Sequence, residues 1–454
     1  MFDKLRGILG KIKADYADIR YEINKQSTIT FSGKELNQIG SNTTDGYVVR
    51  LLYKGGMSSV VFTSDKDAEK AIGLAMENAE LVSKSIAKPV KLADVTPVKD
   101  HYSPIMAEDP SHVTMEEKLE LIRKYNNIPL GYKNIVNTLI SYSEKCREKY
   151  FLSSEGAEIR EDLTTTSLSG EIMAKDGVLL QNVRVKGGGS NGFTTIRNLE
   201  VHIEERTKIA LDLLKAKPVT GGTYDCILNP GLAGVFAHEA FGHFSEADII
   251  ESLPPMREKM KLGNKLGSDI LNIVDDATQP NQLGYYKYDD EGVPVRRTQL
   301  MKEGVMAGRL HSRRTAAEFA EPISGHCVAE DFRYAPIVRM GTTYIEPGKQ
   351  TFDDLLEILG DGIYILDAKG GQTSGENFTF GAHYGFEVKN GTIGQMVRDI
   401  NISGNLYQTL MNIQAVGDDL ELSKVGGCGK GQLNIRSCNG GPHILVKSLI
   451  VGGV

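Results

Sequence analysis

Apolar residues recur along the chain with two alternating periods, and the changes of period mark the elements. Phe2, Leu5, Ile8, Leu9 and Ile12 stand among Asp3, Lys4, Arg6 and Lys11, which predicts an amphipathic helix rather than a signal peptide with a continuous apolar core. Residues 18–25, 28–31, 46–53 and 58–62 then read as short strands of an antiparallel meander. Turns are expected at Ser32-Gly33, Asp45-Gly46 and Gly55-Gly56. Helical spacing returns over 65–83 (Ala68, Ile72, Ala75, Ala79) and over 115–125 behind Thr114 as N-cap. Residues 134–154 and 158–185 read as strand pairs. Leu199, Ile203, Ala210 and Leu214 then predict a helix over 199–215.

Lys217-Pro218-Val219-Thr220-Gly221-Gly222 stops that helix and supplies a flexible turn, so it is the predicted boundary. Residues 224–228 form a short apolar strand. Asn229-Pro230-Gly231 then provides an N-cap with Pro at the first helical position. Beyond Ile273, short strands and Gly-rich turns dominate (341–345, 362–366, 378–389, 391–395, 445–451). The expectation is an α+β protein of two domains: an N-terminal mixed domain over 1–217 and a β-rich C-terminal domain over 218–454. The second carries the helix that opens at Asn229.

That helix runs into Ala237-His238-Glu239-Ala240-Phe241-Gly242-His243. Two imidazoles beside a carboxylate are the parts of a catalytic zinc site, with the carboxylate placed to take a proton from water. In the common pattern the two histidines are four apart and share a helix face. Here they are five apart, about 140° around a regular helix, so they meet only if the helix distorts. Gly242, a weak helix former, is the expected place for a π-type bulge or a helix end.

A third donor is sought in the tail, where Cys428 and Cys438 both sit in Gly-rich surroundings that let a backbone approach the helix. Lys430 is expected to help hold a nearby thiol as thiolate. Composition does not choose between the two cysteines. Glu246 and Asp248 are candidates to orient an imidazole, and His326 is a candidate oxyanion donor. Asp275-Asp276 and Asp289-Asp290-Glu291-Gly292 lack the ligand spacing of a calcium loop and read as turns. Gly187-Gly188-Gly189 lacks the Walker lysine and reads as a loop.

Bulk composition narrows the function classes. A net charge of -7 over 454 residues, with no basic run, argues against nucleic-acid binding. No apolar stretch approaches the roughly 20 residues that span a bilayer. Five cysteines spread over the chain fit a reducing compartment, so a cytoplasmic protein is expected.

The stretch His238 to His243 with Ser245-Glu246-Ala247-Asp248 resembles the TldD/PmbA family of zinc metallopeptidases. So do Met340 to Gly348, Lys369-Gly370-Gly371-Gln372, Val425 to Gln432 and the terminal Val451-Gly452-Gly453. The resemblance is close over the C-terminal half and general over the N-terminal half. It implies a catalytic, TldD-type chain in which His238, His243 and Cys428 ligate zinc and Glu239 is the general base. It also implies a dimer, with itself or with a TldE/PmbA-like subunit, that cleaves unfolded peptides or proteins, and no contact with nucleic acid or membrane. A rival reading is a non-catalytic peptide-binding subunit with a structural zinc, which would want a fourth protein ligand such as Glu246, Asp248 or Cys438.

Overall fold

A computed structural model describes residues 1–452. Gly453, the last residue of the terminal motif, lies outside the described residues. Strands dominate both halves and helices pack against them, so the fold is α+β.

The N-terminal half is built on β1 (Tyr16–Ser32), β2 (Glu35–Tyr53), β3 (Gly56–Phe62), β4 (Lys99–Tyr102), β5 (Ile135–Ser153), β6 (Glu158–Asp176) and β7 (Leu179–Gly189). They form one seven-stranded sheet in the order β3-β2-β1-β5-β6-β4, with β7 also on β6. The meander expected from turn signals is thus drawn out into fewer, longer strands. Asp45-Gly46 is not a turn: it lies inside β2, opposite Ile23 and Glu22 of β1. Glycine is required there because a Cβ would meet the Phe332 ring at 2.3 Å. The Gly187–Gly189 run likewise ends β7 rather than forming a loop, and Gly188 packs on the backbone of Thr166 and Ser167.

Helices cover one face of this sheet. α1 (Phe2–Leu9) and α2 (Ala68–Ser85) bury Leu5, Ile8, Ala71, Ala75 and Ala79 against Ile19, Tyr21, Val49 and Leu51. α3 (Met115–Leu130) and α4 (Glu200–Leu213) bury Ile122, Tyr125, Ile203 and Ala210 against Ile140 and Leu168. The Thr114 hydroxyl caps α3 by accepting from the Glu117 N–H.

Alternate residues of β1, β2 and β5 point to the opposite face, and several of them are charged. Arg20, Glu22, Arg50 and Lys149 are buried there. Arg50 pairs with Asp18 and Glu291, both at 2.7 Å. Lys149 pairs with Glu161 at 2.8 Å and Asp290 at 3.1 Å, and Arg147 with Asp290 at 3.0 Å. The acidic run read as a turn does turn, with the Gly292 N–H on the Asp289 carbonyl, and it is the buried counter-charge to the N-terminal sheet.

The C-terminal half carries two sheets. In the larger, β8 (Lys217–Pro218) and β9 (Gly222–Leu228) join strands 362–374, 377–389, 392–398, 400–405 and 444–452. Five of these close on themselves: 362–374 pairs with β9 and 377–389, β9 with 444–452, and 400–405 bridges 444–452 to 377–389. The smaller sheet orders strands 305–306, 298–302, 273–275, 342–345, 438–441 and 421–422. α5 (Pro230–Ala237) lies between them with Leu232, Ala233, Phe236 and Ala237 wholly buried, and so is apolar all round. No helix among the described residues is long and apolar enough to cross a membrane.

Candidate metal centre

The site begins with a cap. Asn229 Oδ1 accepts from the Leu232 N–H, and Pro230 takes the first helical position, where no N–H partner is needed. α5 then crosses strand 438–441 closely enough that a Cβ on Gly234 would meet Gly440 at 2.7 Å. At His238 the helix widens into a π turn, His238–Gly242, in which the His243 N–H donates to the His238 carbonyl. A five-residue bond brings residues five apart onto one face, and the two imidazoles stand 5.1 Å apart at 83°. Gly242 has ordinary helical angles. Its need is space, because a Cβ would meet the Met340 sulfur at 2.2 Å.

Cys428 arrives from a hairpin held by reciprocal backbone bonds with Ile435, at 2.9 and 3.0 Å. One ring nitrogen of His238, one of His243 and the Cys428 Sγ lie within 4.8 Å of one another. Cys428 Sγ is 3.4 Å from His243 Nε2. A tetrahedral zinc with ordinary Zn–N and Zn–S bonds sets those two donors about 3.5 Å apart. His238 Nδ1 is buried with no hydrogen-bond partner among the described residues. The spacing and the two-imidazole, one-thiol donor set therefore fit zinc. The Glu239 carboxylate stands beside the group, 3.9 Å from His243 Nε2 and partly exposed.

Electrostatics favour the ligating form of the thiol. Burial would raise the Cys428 thiol, but hydrogen bonds with His238 and His243 and the nearby Arg339 charge bring it down to about 5. Lys430 does not do this work. Its ammonium is taken by Asp248 at 2.8 Å, Glu246 at 3.2 Å and the Val338 carbonyl at 2.6 Å. Glu246 is wholly buried, and its Oε2 is 3.1 Å from His243 Nδ1. Burial opposes its charge, yet His243, Lys430 and Arg339 hold it at about 2. An ionised Glu246 can only accept, so His243 donates to it from Nδ1. Burial would lower His243, but its hydrogen bonds with Cys428 and Glu246 raise it to about 10, so in the ion-free chain Nε2 also carries a proton, directed at the thiolate, and zinc would take that proton's place.

The remaining predicted residues fall elsewhere. Cys438 is buried in strand 438–441, where it donates to the Ser423 carbonyl at 3.1 Å, and burial pushes its thiol up to about 12. Asp248 reaches the centre only through Lys430. His326 is wholly buried with Nδ1 on the Ser324 carbonyl and Nε2 on Asp275, both at 3.0 Å, so it has no nitrogen to offer an oxyanion. Asp275 does not lie in a turn: it ends strand 273–275, buried, and accepts from the backbone of Gly341 and Thr342 and from Thr343. Cys327 is buried and is not among the grouped donors, and all five cysteines are free. Sequence reasoning missed Arg339 as a charge at the centre and Met340 as the wall on Gly242. Met340 opens the family-like stretch 340–348, but nothing in the sequence tied either residue to the metal helix.

Comparison with known proteins places this geometry in context. Three family models match: PmbA/TldA metallopeptidase domain 1 over residues 17–79, the central domain over 108–217 and the C-terminal domain over 221–453. A metalloprotease of Synechocystis is 33% identical over 97% of this chain and 95% of its own length. A metalloprotease of Methanocaldococcus jannaschii is 37% identical over 94% and 95%. A zinc metalloprotease TldD homolog of Saccharolobus solfataricus is 29% identical over 98% of both. Among solved structures, a Thermotoga maritima protein superposes with a TM-score of 0.81 at 19% identity over 99% of each chain. TldE from Thermococcus kodakarensis does so with 0.78 at 17% over the full length of each. Likeness at such identity speaks to the fold.

Proposed function

The chain belongs to the PmbA/TldD family of metallopeptidases, and from that premise we propose a zinc-dependent peptidase in which His238, His243 and Cys428 hold the ion and Glu239 is the general base. The carrying observation is the convergence of three donors within 4.8 Å, with the Glu239 carboxylate 3.9 Å from one of them. Three protein donors leave the open position that catalysis needs, which favours this reading over a structural zinc.

Zinc, when bound, supplies Lewis acidity that lowers the pKa of a water toward neutrality and polarises a carbonyl. Glu239 takes the proton of the attacking water on its carboxylate and later returns it to the leaving amine. Its partial exposure gives water access from the solvent side. Glu246 fixes the His243 ring through Nδ1. The π turn, wedged by Met340 against Gly242, holds His238 and His243 at the spacing a single ion requires.

The proposed substrate is an unfolded peptide bound in extended form. The smaller sheet ends in the two-residue strand Glu421–Leu422, whose chain leads on to Cys428, and an exposed edge there suits strand addition. We further propose that the chain divides functionally at 217/218, and that it works in the cytoplasm as a dimer with itself or with a TldE-like subunit.

The test is a fluorogenic peptide library assayed on zinc-loaded protein with and without chelator, beside Glu239→Gln. Chelator-sensitive hydrolysis is expected. Glu239→Gln should keep its zinc and lose a factor of about 10²–10⁴ in rate. Near wild-type turnover in that variant would remove the general-base role.

A further inference from the structure

A concavity of roughly 370 Å³ opens between the two halves beside the metal helix. Its wall carries Arg184, Lys186, Arg206 and Lys424, against two carboxylates, Asp367 and Glu421. This excess of positive charge stands in a chain whose net charge is -7. Asp367 is already engaged: its Oδ2 is 2.6 Å from Arg206 Nη1, and its Oδ1 is 3.3 Å from Asn229 Nδ2. Arg184 has Glu171 at 3.7 Å. Among the described residues, neither Lys186 nor Lys424 has a carboxylate within 4.0 Å, so both line the cavity without a direct ion-pair partner.

An independent feature lies on the same wall. His383 is only 4% exposed. Its Nδ1 is 3.1 Å from the Asn182 carbonyl, and its Nε2 has no partner among the described residues. Burial, aided by Arg206 and Arg184 and against the pull of Asp367, holds the ring neutral with a pKa of about 4. A carbonyl can only accept, so the ring proton sits on Nδ1 and Nε2 presents a lone pair. A buried lone pair with no donor is costly to leave unmade. The cavity therefore offers unpaired cations for an anion and one acceptor for an N–H, which together match an amino-acid residue bearing a carboxylate. A bare anion uses only the first.

The cavity is also tied to the metal centre by chain. Val425 and Gly426 line it just before Cys428, and Val235 lines it one helical turn before His238. We propose that this cavity is an acidic subsite, taking a carboxylate of the peptide substrate on Lys186 and Lys424 and a backbone N–H of the same residue on His383 Nε2. The inference rests on the peptidase reading above and adds a substrate class to it.

The probe is a pair of fluorescein-labelled unstructured peptides, identical except for Glu in one and Gln in the other. Their affinities are read by fluorescence anisotropy on the zinc-loaded Glu239→Gln chain, where bound peptide stays intact. The Glu peptide should bind at least about tenfold tighter at low salt, with the ratio shrinking as salt rises. The Lys186→Ala/Lys424→Ala double variant, checked for an unchanged melting temperature, should bring the ratio near one. Equal affinities on the parent chain, or a preference that survives the double variant, would overturn the subsite. So would displacement of the Glu peptide by inorganic phosphate as effective as by free Glu peptide. Failure of the peptidase reading looks different: no chelator-sensitive hydrolysis of either peptide by the wild-type chain, whatever the anisotropy ratio.

Discussion

Glu246→Gln separates the metal centre from the fold that surrounds it. The carboxylate is wholly buried and satisfied on both oxygens. Oε2 meets His243 Nδ1 at 3.1 Å and Lys430 at 3.2 Å, while Oε1 accepts from the Met340 N–H at 3.3 Å and lies 3.7 Å from Arg339 Nε. An amide of the same size has one acceptor oxygen and one donating nitrogen. If the oxygen faces His243, the NH₂ confronts the Met340 N–H and Arg339; reversed, it confronts the Nδ1 proton. Either way the imidazole or the backbone loses its partner. Removing a carboxylate that orients a ligating histidine costs about 10–100-fold in metal affinity, or about 1.4–2.7 kcal/mol. The charge has a second effect. Arg339 is 0% exposed, and its guanidinium nitrogens have no hydrogen-bond partner among the described residues, so the Glu246 carboxylate at 3.7 Å is a main counter-charge to it, beside the Cys428 thiolate. Breaking a buried pair from one side costs about 3–5 kcal/mol of stability. Zinc affinity is read by competition with a chromophoric chelator, and stability by denaturant unfolding of the chelated protein. Asp248→Asn is the control, since it removes the other carboxylate on Lys430 and leaves His243 untouched. A folded Glu246→Gln chain that binds zinc as tightly as wild type would refute the orienting role.

Three further outcomes follow from the same geometry. Cys428→Ser should lower the zinc-to-chain ratio while Cys438→Ser, which retains a hydroxyl for the Ser423 carbonyl, should not; elemental analysis of both proteins checks this. Gly242→Ala places a Cβ 2.2 Å from the Met340 sulfur, so it should cost about 1–3 kcal/mol and weaken zinc binding, and a companion Met340→Ala should restore both. Asp290→Asn leaves Arg147 and Lys149 short of a buried partner and should cost about 3–5 kcal/mol near neutral pH, measured by denaturant unfolding. Burial would raise Asp290, but Arg147, Arg20 and Lys149 hold it well below the usual carboxylate range. A depressed folded pKa stabilises above the unfolded value and the gain is lost as pH falls, so the gap between wild type and variant should narrow below about pH 4.

What the sequence disclosed, and what it hid, divides by distance along the chain. The metal helix was legible because everything that builds it is local. Asn229 and Pro230 start it, and two histidines five apart beside a glutamate demand a distorted turn, which is the π turn found at His238–Gly242. The reason for Gly242 was not legible. Its helical propensity suggested the bulge, but the constraint is Met340, nearly a hundred residues later, where nothing in the sequence ties it to the helix. The same blindness explains Asp45-Gly46, a good turn signal overruled by Phe332 pressing on Gly46 from the other half of the molecule. Arg20, Glu22, Arg50 and Lys149 show the consequence at larger scale. Alternation in a strand reports that one face is polar, and solvent is the default partner for a polar face. Here the partner is Asp290-Glu291, so charge alternation marks an interface between halves, and the acidic turn is its buried complement. Cys428 and Cys438 pose the problem in its sharpest form. Both are cysteines among glycines, ten residues apart, and each glycine cluster does bring backbone close to something. At Gly440 that something is α5 itself, yet the neighbouring Cys438 thiol turns to a carbonyl. At Cys428 a hairpin closed by Ile435 carries the thiol past the helix to His243. Close approach of backbone to the metal helix was therefore the wrong criterion for a ligand. The useful one was the direction the hairpin imposes on the side chain, which depends on the pairing of residues 428 and 435.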